Sequence, residues 1–157
     1  MNTFTRLDTP VGTVSALFED NRLCAIHIGD DVWRNRQVQS SGLSQQLHAE
    51  LQAYFTDRRF QFSLPLELHG TDFQQRVWRA LSRIPAGSTT TYGQLARQLH
   101  SSPRAVGNAC RANPVPIIIP CHRVVAKQGL GGYDGQTEGG RLAIKRWLLQ
   151  HEGVSLA

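Results

Sequence analysis

The apolar pattern changes character at Gly70, and that change limits what this 157-residue chain can fold into. Before it, "TRLDTPVGTVSALFEDNRLCAIHIGDD" alternates apolar or β-branched residues with polar ones and is broken at Pro10-Val11-Gly12 and Glu19-Asp20-Asn21. That is the period-two signature of a hairpin or small antiparallel meander. After Ser44, Leu47, Leu51, Tyr54 and Phe55 recur at helical spacing, so an amphipathic helix should pack on that sheet. "TDRRFQFSLPLELHG" then returns to extended chain. Beyond Gly70 the period is that of helices. Thr71 or Asp72 can cap "FQQRVWRALSRI", which places Phe73, Val77, Trp78 and Leu81 on one face before Pro85-Ala86-Gly87 stops it. A second helix should begin near Tyr92, and a third at Ser102 with Pro103 in its first position. Two domains are expected, residues 1–70 and 71–157.

Charge divides along the same line. Residues 1–70 carry six Arg or Lys against eight Asp or Glu, a net of −2, and residues 71–157 carry eleven against four, a net of +7. Clustered positive charge is the electrostatic footprint of a nucleic-acid partner. It falls where two short helices joined by "HSS" read as a helix-turn-helix. The second helix of that pair has small residues, Ala105, Gly107, Ala109 and, at its end, Ala112, with Arg104 and Arg111 as its long side chains. Such a helix can lie close in a groove of a duplex. The same small residues would equally let it pack tightly on a neighbouring helix.

The start "MNTFTRLDTPVG" lacks a basic head followed by an apolar block, and no stretch has the apolar length of a membrane span, which points to a soluble cytoplasmic protein. Three cysteines, Cys24, Cys110 and Cys121, form no C-x-x-C pair, so reduced thiols are expected.

The chemistry concentrates in "NPVPIIIPCHRVV". Pro114, Pro116 and Pro120 fix backbone torsions and exclude a helix, delivering Cys121 along a stiff approach. A thiol becomes a strong nucleophile only as thiolate, and His122 and Arg123 follow at once with groups that can lower its pKa. On a strand, successive side chains point to opposite faces, so a turn or a bridging water is needed for the imidazole to serve the sulfur. Glu152 closes the last helix, "GGRLAIKRWLLQHEG", at the negative end of its dipole, unfavourable unless a cation or donor meets it. A carboxylate there could orient His122, completing a nucleophile-base-orienter relay.

"NPVPIIIPCHRVV", together with "TYGQLA", "RAVGNACRANP" and "KRWLLQHEG", closely resembles the O6-alkylguanine-DNA alkyltransferases, strongly over residues 71–157 and in outline before them. The resemblance implies an α+β protein: a small N-terminal ribonuclease-H-like antiparallel sheet with a helix, then a C-terminal winged helix-turn-helix domain. It implies direct-reversal repair, in which an O6-alkylated guanine of double-stranded DNA is flipped into a pocket from the minor groove. The alkyl group moves irreversibly to Cys121, in one turnover and without a cofactor. His122, acting through a water, and Glu152 would make the thiolate. Asn113 falls on a hinge asparagine, Tyr92 on the tyrosine that donates toward N3 of the guanine, and Arg104 on the arginine that fills the vacated stack. Val124, Tyr133 and Lys145 fall on positions lining or closing the pocket, and Arg104, Ala105, Gly107, Arg111 and Arg123 on the expected DNA contacts. A monomer in solution is implied, with cooperative binding on DNA left open.

The chain departs from the pattern in "DGQTEGGRLAI", a long polar stretch that puts Asp134 where a small hydroxyl residue commonly contacts O6. Some relatives hold zinc in the N-terminal part, but Cys24, His27, His48 and His69 lack ligand spacing, so no metal is expected. Two other classes compete. A cysteine hydrolase or acyltransferase would turn over and need an oxyanion hole. A non-catalytic sensor of alkylated bases would lack the cysteine that Cys121 supplies.

Overall fold

The computed structural model describes residues 2–29, 32–33, 35–39, 41–133 and 140–156, which fall into two compact units, Met1–His69 and Gly70–Ala157. In the first unit β1 (Asn2–Thr9), β2 (Gly12–Glu19) and β3 (Arg22–Ile28) form the expected antiparallel meander. Asp20 and Asn21 turn the chain between β2 and β3 with φ of 48° and 64°, a left-handed pair that Asp and Asn tolerate and that matches strand twist. The β2–β3 pairing shifts register at Leu17/Phe18. Helix α1 (Gly42–Thr56) begins ahead of Ser44 and is capped by Ser41, which accepts the Ser44 amide while the Ser44 hydroxyl accepts the Ser41 amide in return. Leu47, Leu51 and Tyr54 are fully buried, as are Val14, Ala16 and Leu23 of the sheet.

The stretch after α1 is extended, as its sequence suggests, and is held at two places. Leu23 donates its amide to Pro65 and accepts that of Glu67, both at 2.9 Å. The buried carboxylate of Glu50 accepts the Ser63 amide at 2.8 Å, the Ser63 hydroxyl at 3.1 Å and the Gln46 amide group at 2.7 Å.

In the second unit the helices begin close to where the sequence places them. Thr71 opens α2 (Asp72–Leu81), Thr91 opens α3 (Tyr92–Gln98), and Ser102 with Pro103 opens α4 (Pro103–Arg111). Gly70 lies against the Trp78 ring, where a Cβ would come within 2.5 Å. The turn between α3 and α4 is made by His100 at φ 55°, with the Ser101 amide returning to Ala96 at 2.9 Å. Trp78 reaches from α2 to donate its indole N–H to the Ala109 carbonyl of α4 at 2.9 Å, fixing one helix on the other.

Two short strands, β4 (Thr90–Thr91) and β5 (Val124–Val125), pair in parallel and bring the start of α3 beside the chain that follows Cys121. Helix α5 (Gly140–His151) ends on Gly153 at φ 90°, where Val154 and Gly153 donate to Leu149 and Gln150. That double bond is the Schellman stop, and it leaves Glu152 at the helix terminus. No helix among the described residues is long and apolar enough to cross a membrane.

Candidate active site

The approach to Cys121 is fixed by one side chain. Asn113 accepts the Val115 amide on Oδ1 at 3.0 Å and donates from Nδ2 to the Ile119 carbonyl at 2.8 Å, clasping both ends of the proline segment. Within it Ile117 has φ 76°, a left-handed conformation unusual for a β-branched residue and a local strain that the surrounding bonds must hold. Pro120, at φ −83° and ψ 66°, centres an inverse γ-turn closed by the Cys121 amide on Ile119 at 2.8 Å. Ile117 and Ile119 are buried and anchor the segment to the core.

Cys121–Arg123 then forms a single 3₁₀ turn rather than continuing as a strand. Consecutive side chains in such a turn diverge by about a third of a revolution. His122, fully buried, therefore departs from the buried Cys121 toward α5, where its Nε2 lies 2.8 Å from Glu152 Oε2. Arg123 grips the same carboxylate from Nε at 2.8 Å and Nη2 at 2.9 Å, and its Nη1 donates to the Ile84 carbonyl at 2.6 Å. The unfavourable acid at the helix terminus is thus met by a guanidinium and an imidazole.

Burial alone would raise the Glu152 pKa, but hydrogen bonds from His122 and Arg123 overcome it and bring the group down to about 2. A carboxylate held ionised can only accept, so the hydrogen of a neutral His122 sits on Nε2 and its Nδ1 carries a lone pair. Nδ1 is buried and has no hydrogen-bond partner among the described residues. Burial pushes His122 below its usual pKa, the Glu152 bond opposes this, and Arg123 and Lys145 add to the downward push. The imidazole is held as a neutral base, one position after the Cys121 thiol in the chain.

Three further side chains lie close by: Tyr92, Lys145 and Cys110. Tyr92, first residue of α3, has its ring between two glycines: a Cβ on Gly107 would touch it at 4.0 Å, and one on Gly131 would press it at 3.0 Å. Its hydroxyl points toward the Gly132 carbonyl at 3.5 Å, and burial pushes its pKa up so that it keeps its proton. Lys145 is fully buried, donates from Nζ to Val124 at 2.7 Å and to Gly132 at 2.8 Å, and lies 5.8 Å from the centre of the Tyr92 ring. Burial lowers its pKa to about 8, and an ionised Cys121 opposes the fall. Cys110, on the buried face of α4, is pushed up to about 12 by burial and by Cys121, and stays a thiol.

A family described as "6-O-methylguanine DNA methyltransferase, DNA binding domain" matches residues 72–154, and one described as "6-O-methylguanine DNA methyltransferase, ribonuclease-like domain" matches residues 3–68. The chain belongs to the 6-O-methylguanine DNA methyltransferase family. It is similar to the constitutive methylated-DNA–protein-cysteine methyltransferase of Bacillus subtilis, with 36% identity over 99% of this chain and 98% of the relative. The methylated-DNA–protein-cysteine methyltransferase of Mycobacterium tuberculosis is 38% identical over 93% of this chain and 89% of its own length. A crystal structure of a Mycobacterium tuberculosis OGT in complex with DNA superimposes with a TM-score of 0.82 at 37% identity, covering 96% of this chain and 92% of that one.

Within this family frame, α4 presents Arg104, Asn108 and Arg111 to solvent, while Val106, Ala109 and Cys110 face the core. Ala105 is half-buried. Two of the expected DNA contacts have neighbours inside the protein. Gly107 is half-buried and lies beside the Tyr92 ring, which a Cβ there would meet at an ordinary 4.0 Å. Arg123 is held by Glu152 and Ile84 and is mostly buried, so its guanidinium is committed inside the protein. Val124 and Tyr133 are buried. Asp134 and the polar stretch through residue 139 lie outside the described residues. Sequence reasoning gave Cys110 and Gly131 no place at the site. No spacing rule signals them, because both become neighbours of Tyr92 or Cys121 only through tertiary packing. A separate cavity of about 380 Å³, lined by Thr89, Val125, Gly129, Leu130, Arg146 and the 154–156 tail, contains neither Cys121 nor Tyr92.

Proposed function

We propose that this protein repairs double-stranded DNA carrying O6-alkylguanine by moving the alkyl group onto Cys121, one group per molecule. The observation that carries this reading is the buried His122, whose Nε2 is fixed by Glu152 and whose Nδ1 lone pair has no partner among the described residues, one position after the only cysteine on the rigid proline approach. His122 Nδ1 takes the thiol proton through one water, and Glu152, paired with Arg123, sets the tautomer. The Cys121 thiolate attacks the alkyl carbon in line, the carbon–O6 bond breaks, and the electron pair leaves on the guanine. Tyr92, kept protonated by burial, supplies the proton toward N3. A thioether does not hydrolyse under cellular conditions, so no cofactor regenerates the thiol.

On the DNA side, Arg104 and Arg111 stand on the exposed face of α4, and the expected base flipping gives Arg104 the vacated stack to fill. Val124, Tyr133 and Lys145 would line or close the guanine pocket, and Asn113 would tie α4 to the nucleophile. The protein is proposed to act as a monomer in the cytoplasm. The test is intact-protein mass spectrometry after incubation with a duplex containing O6-methylguanine, followed by peptide mapping. A stoichiometric gain of one methyl group on Cys121, absent in Cys121→Ala, supports the reading; a chain that binds the duplex and gains no mass is a sensor instead.

A further inference from the structure

Resting on that reading of Cys121 as the acceptor, we propose that the positive charge balancing its thiolate is the ammonium of Lys145, and that the His122–Glu152–Arg123 cluster moves the proton without supplying the charge.

The charges close to the sulfur support this division. Arg123 and Glu152 form a two-pronged ion pair at 2.8 and 2.9 Å, so their charges cancel. His122 is fully buried, with its Nε2 already given to that carboxylate, and a second proton would place a cation beside both Arg123 and Lys145. It therefore passes a proton more readily than it keeps one. From α3, Tyr92 is neutral and buried; from α4, Cys110 is a neutral thiol. Lys145 remains. Its side chain is inaccessible to water, and its two hydrogen-bond acceptors among the described residues, Val124 and Gly132, are uncharged carbonyls. Among the described residues it makes no salt bridge with a carboxylate.

A buried ammonium without an anion is costly. The anion on offer is the thiolate of Cys121, three residues before the Val124 carbonyl that holds the ammonium. Lys145 is held in place for this role. The Val124 carbonyl belongs to the residue that ends the 3₁₀ turn of Cys121, so the ammonium is tied to the chain that carries the sulfur. In the proton balance, the thiol proton leaves through His122 to solvent, and the site retains one thiolate and one ammonium. Alkyl transfer converts the thiolate to a neutral thioether and leaves Lys145 unbalanced.

The chain contains two lysines, Lys127 and Lys145, so ¹³C-lysine labelling gives two side-chain signals that can be titrated separately. In the unmodified protein the exposed Lys127 serves as an internal reference. Blocking Cys121 with iodoacetamide, verified by peptide mapping, should lower the Lys145 midpoint and leave Lys127 unmoved; an unchanged Lys145 midpoint overturns the pairing. A second arm follows the pH dependence of iodoacetamide reaction at Cys121. Lys145→Met should move the midpoint of that profile up by about one unit, so that the rate falls about tenfold at pH values below the parent midpoint, and Lys145→Arg should restore much of the rate. An unshifted profile in folded Lys145→Met also overturns the proposal. The labelling arm needs no variant, so it decides the matter even where Lys145→Met does not fold. Neither arm uses alkylated DNA, so failure here is separable from failure of the repair reading, which the methyl gain on Cys121 tests.

Discussion

Asn113 and Cys121 donate to the same carbonyl: the Asn113 side-chain amide and the Cys121 backbone amide both reach Ile119 O at 2.8 Å. Cys121 is therefore located by a residue that sits just past the end of α4, and the helix proposed to meet DNA is tied to its sulfur through one oxygen.

Replacing Asn113 tests that tie. Asn113→Ala removes two partly buried bonds, to Ile119 and Val115, and should destabilise the protein by about 1–3 kcal/mol. The larger effect should be on chemistry, because a displacement of about 1 Å at a reacting atom can cost about 100-fold in rate. Single-turnover methyl transfer, followed by intact mass, should slow by at least about tenfold while duplex binding changes little. Equal losses in both would mean that Asn113 supports the fold alone.

Gly131 offers an independent probe of Tyr92. An alanine there must adopt φ 74° and would bring its Cβ to 3.0 Å from the Tyr92 ring and 3.2 Å from the Ala126 amide nitrogen. The ring is the softer neighbour, so Gly131→Ala should displace the phenol and lower the transfer rate by at least about tenfold, within what a positioned proton donor contributes. The thiol reactivity of Cys121 toward iodoacetamide should stay near that of the parent. A variant with full transfer rate would remove Tyr92 from the proton path.

What was legible in the chain was local. The caps at Thr71, Thr91 and Ser102 are set by side chains bonding within one turn, so "TDFQQ", "TYGQ" and "SPRA" specify their own helix starts. The antiparallel meander follows from alternation and the Asp20-Asn21 turn for the same reason. The exact start of α1 was less legible, because Ser41 and Ser44 carry the same signal and their hydroxyls act as one box. The ion pair of Arg123 was not legible: its partner Glu152 lies 29 positions away, and nothing near Arg123 in sequence announces it. The carbonyl grip of Lys145 and the two glycines flanking Tyr92 are likewise products of packing, invisible to spacing.

Acid should unfold the protein through the Glu152 cluster. Glu152 falls from an ordinary 4.5 to about 2 in the folded state, so its contribution is present above pH 4.5 and is lost as pH drops toward 2. The shift corresponds to about 3 kcal/mol. His122 acts with the same sign: its folded pKa lies below the usual 6.5, the unfolded chain takes the proton first, and stability declines as pH falls below 6.5. Denaturant midpoints measured between pH 7 and pH 3 should therefore decrease steadily. Glu152→Gln should flatten the lower part of that slope, while costing about 3–5 kcal/mol at pH 7 because Arg123 is left without its carboxylate. An acid limb unchanged in Glu152→Gln would place the sensitivity elsewhere.

Arg104 separates DNA handling from chemistry. It is exposed on α4 and makes no part of the Cys121 hydrogen-bond network, so its removal should leave the nucleophile intact. Unstacking a base costs a few kcal/mol, and a side chain filling the gap returns part of it. Arg104→Ala should slow transfer from O6-methylguanine in a duplex by about 10- to 100-fold, a loss of about 1.4–2.8 kcal/mol, and change the reaction with free O6-benzylguanine by less than about twofold. The salt dependence gives a second reading: each neutralised phosphate contributes a slope of about −0.9 in log affinity against log salt. If Arg104 acts chiefly as a stack filler, Arg104→Lys should retain the salt slope and still transfer slowly from the duplex. Recovery of the full duplex rate in Arg104→Lys would mean that a point charge at the phosphates suffices there.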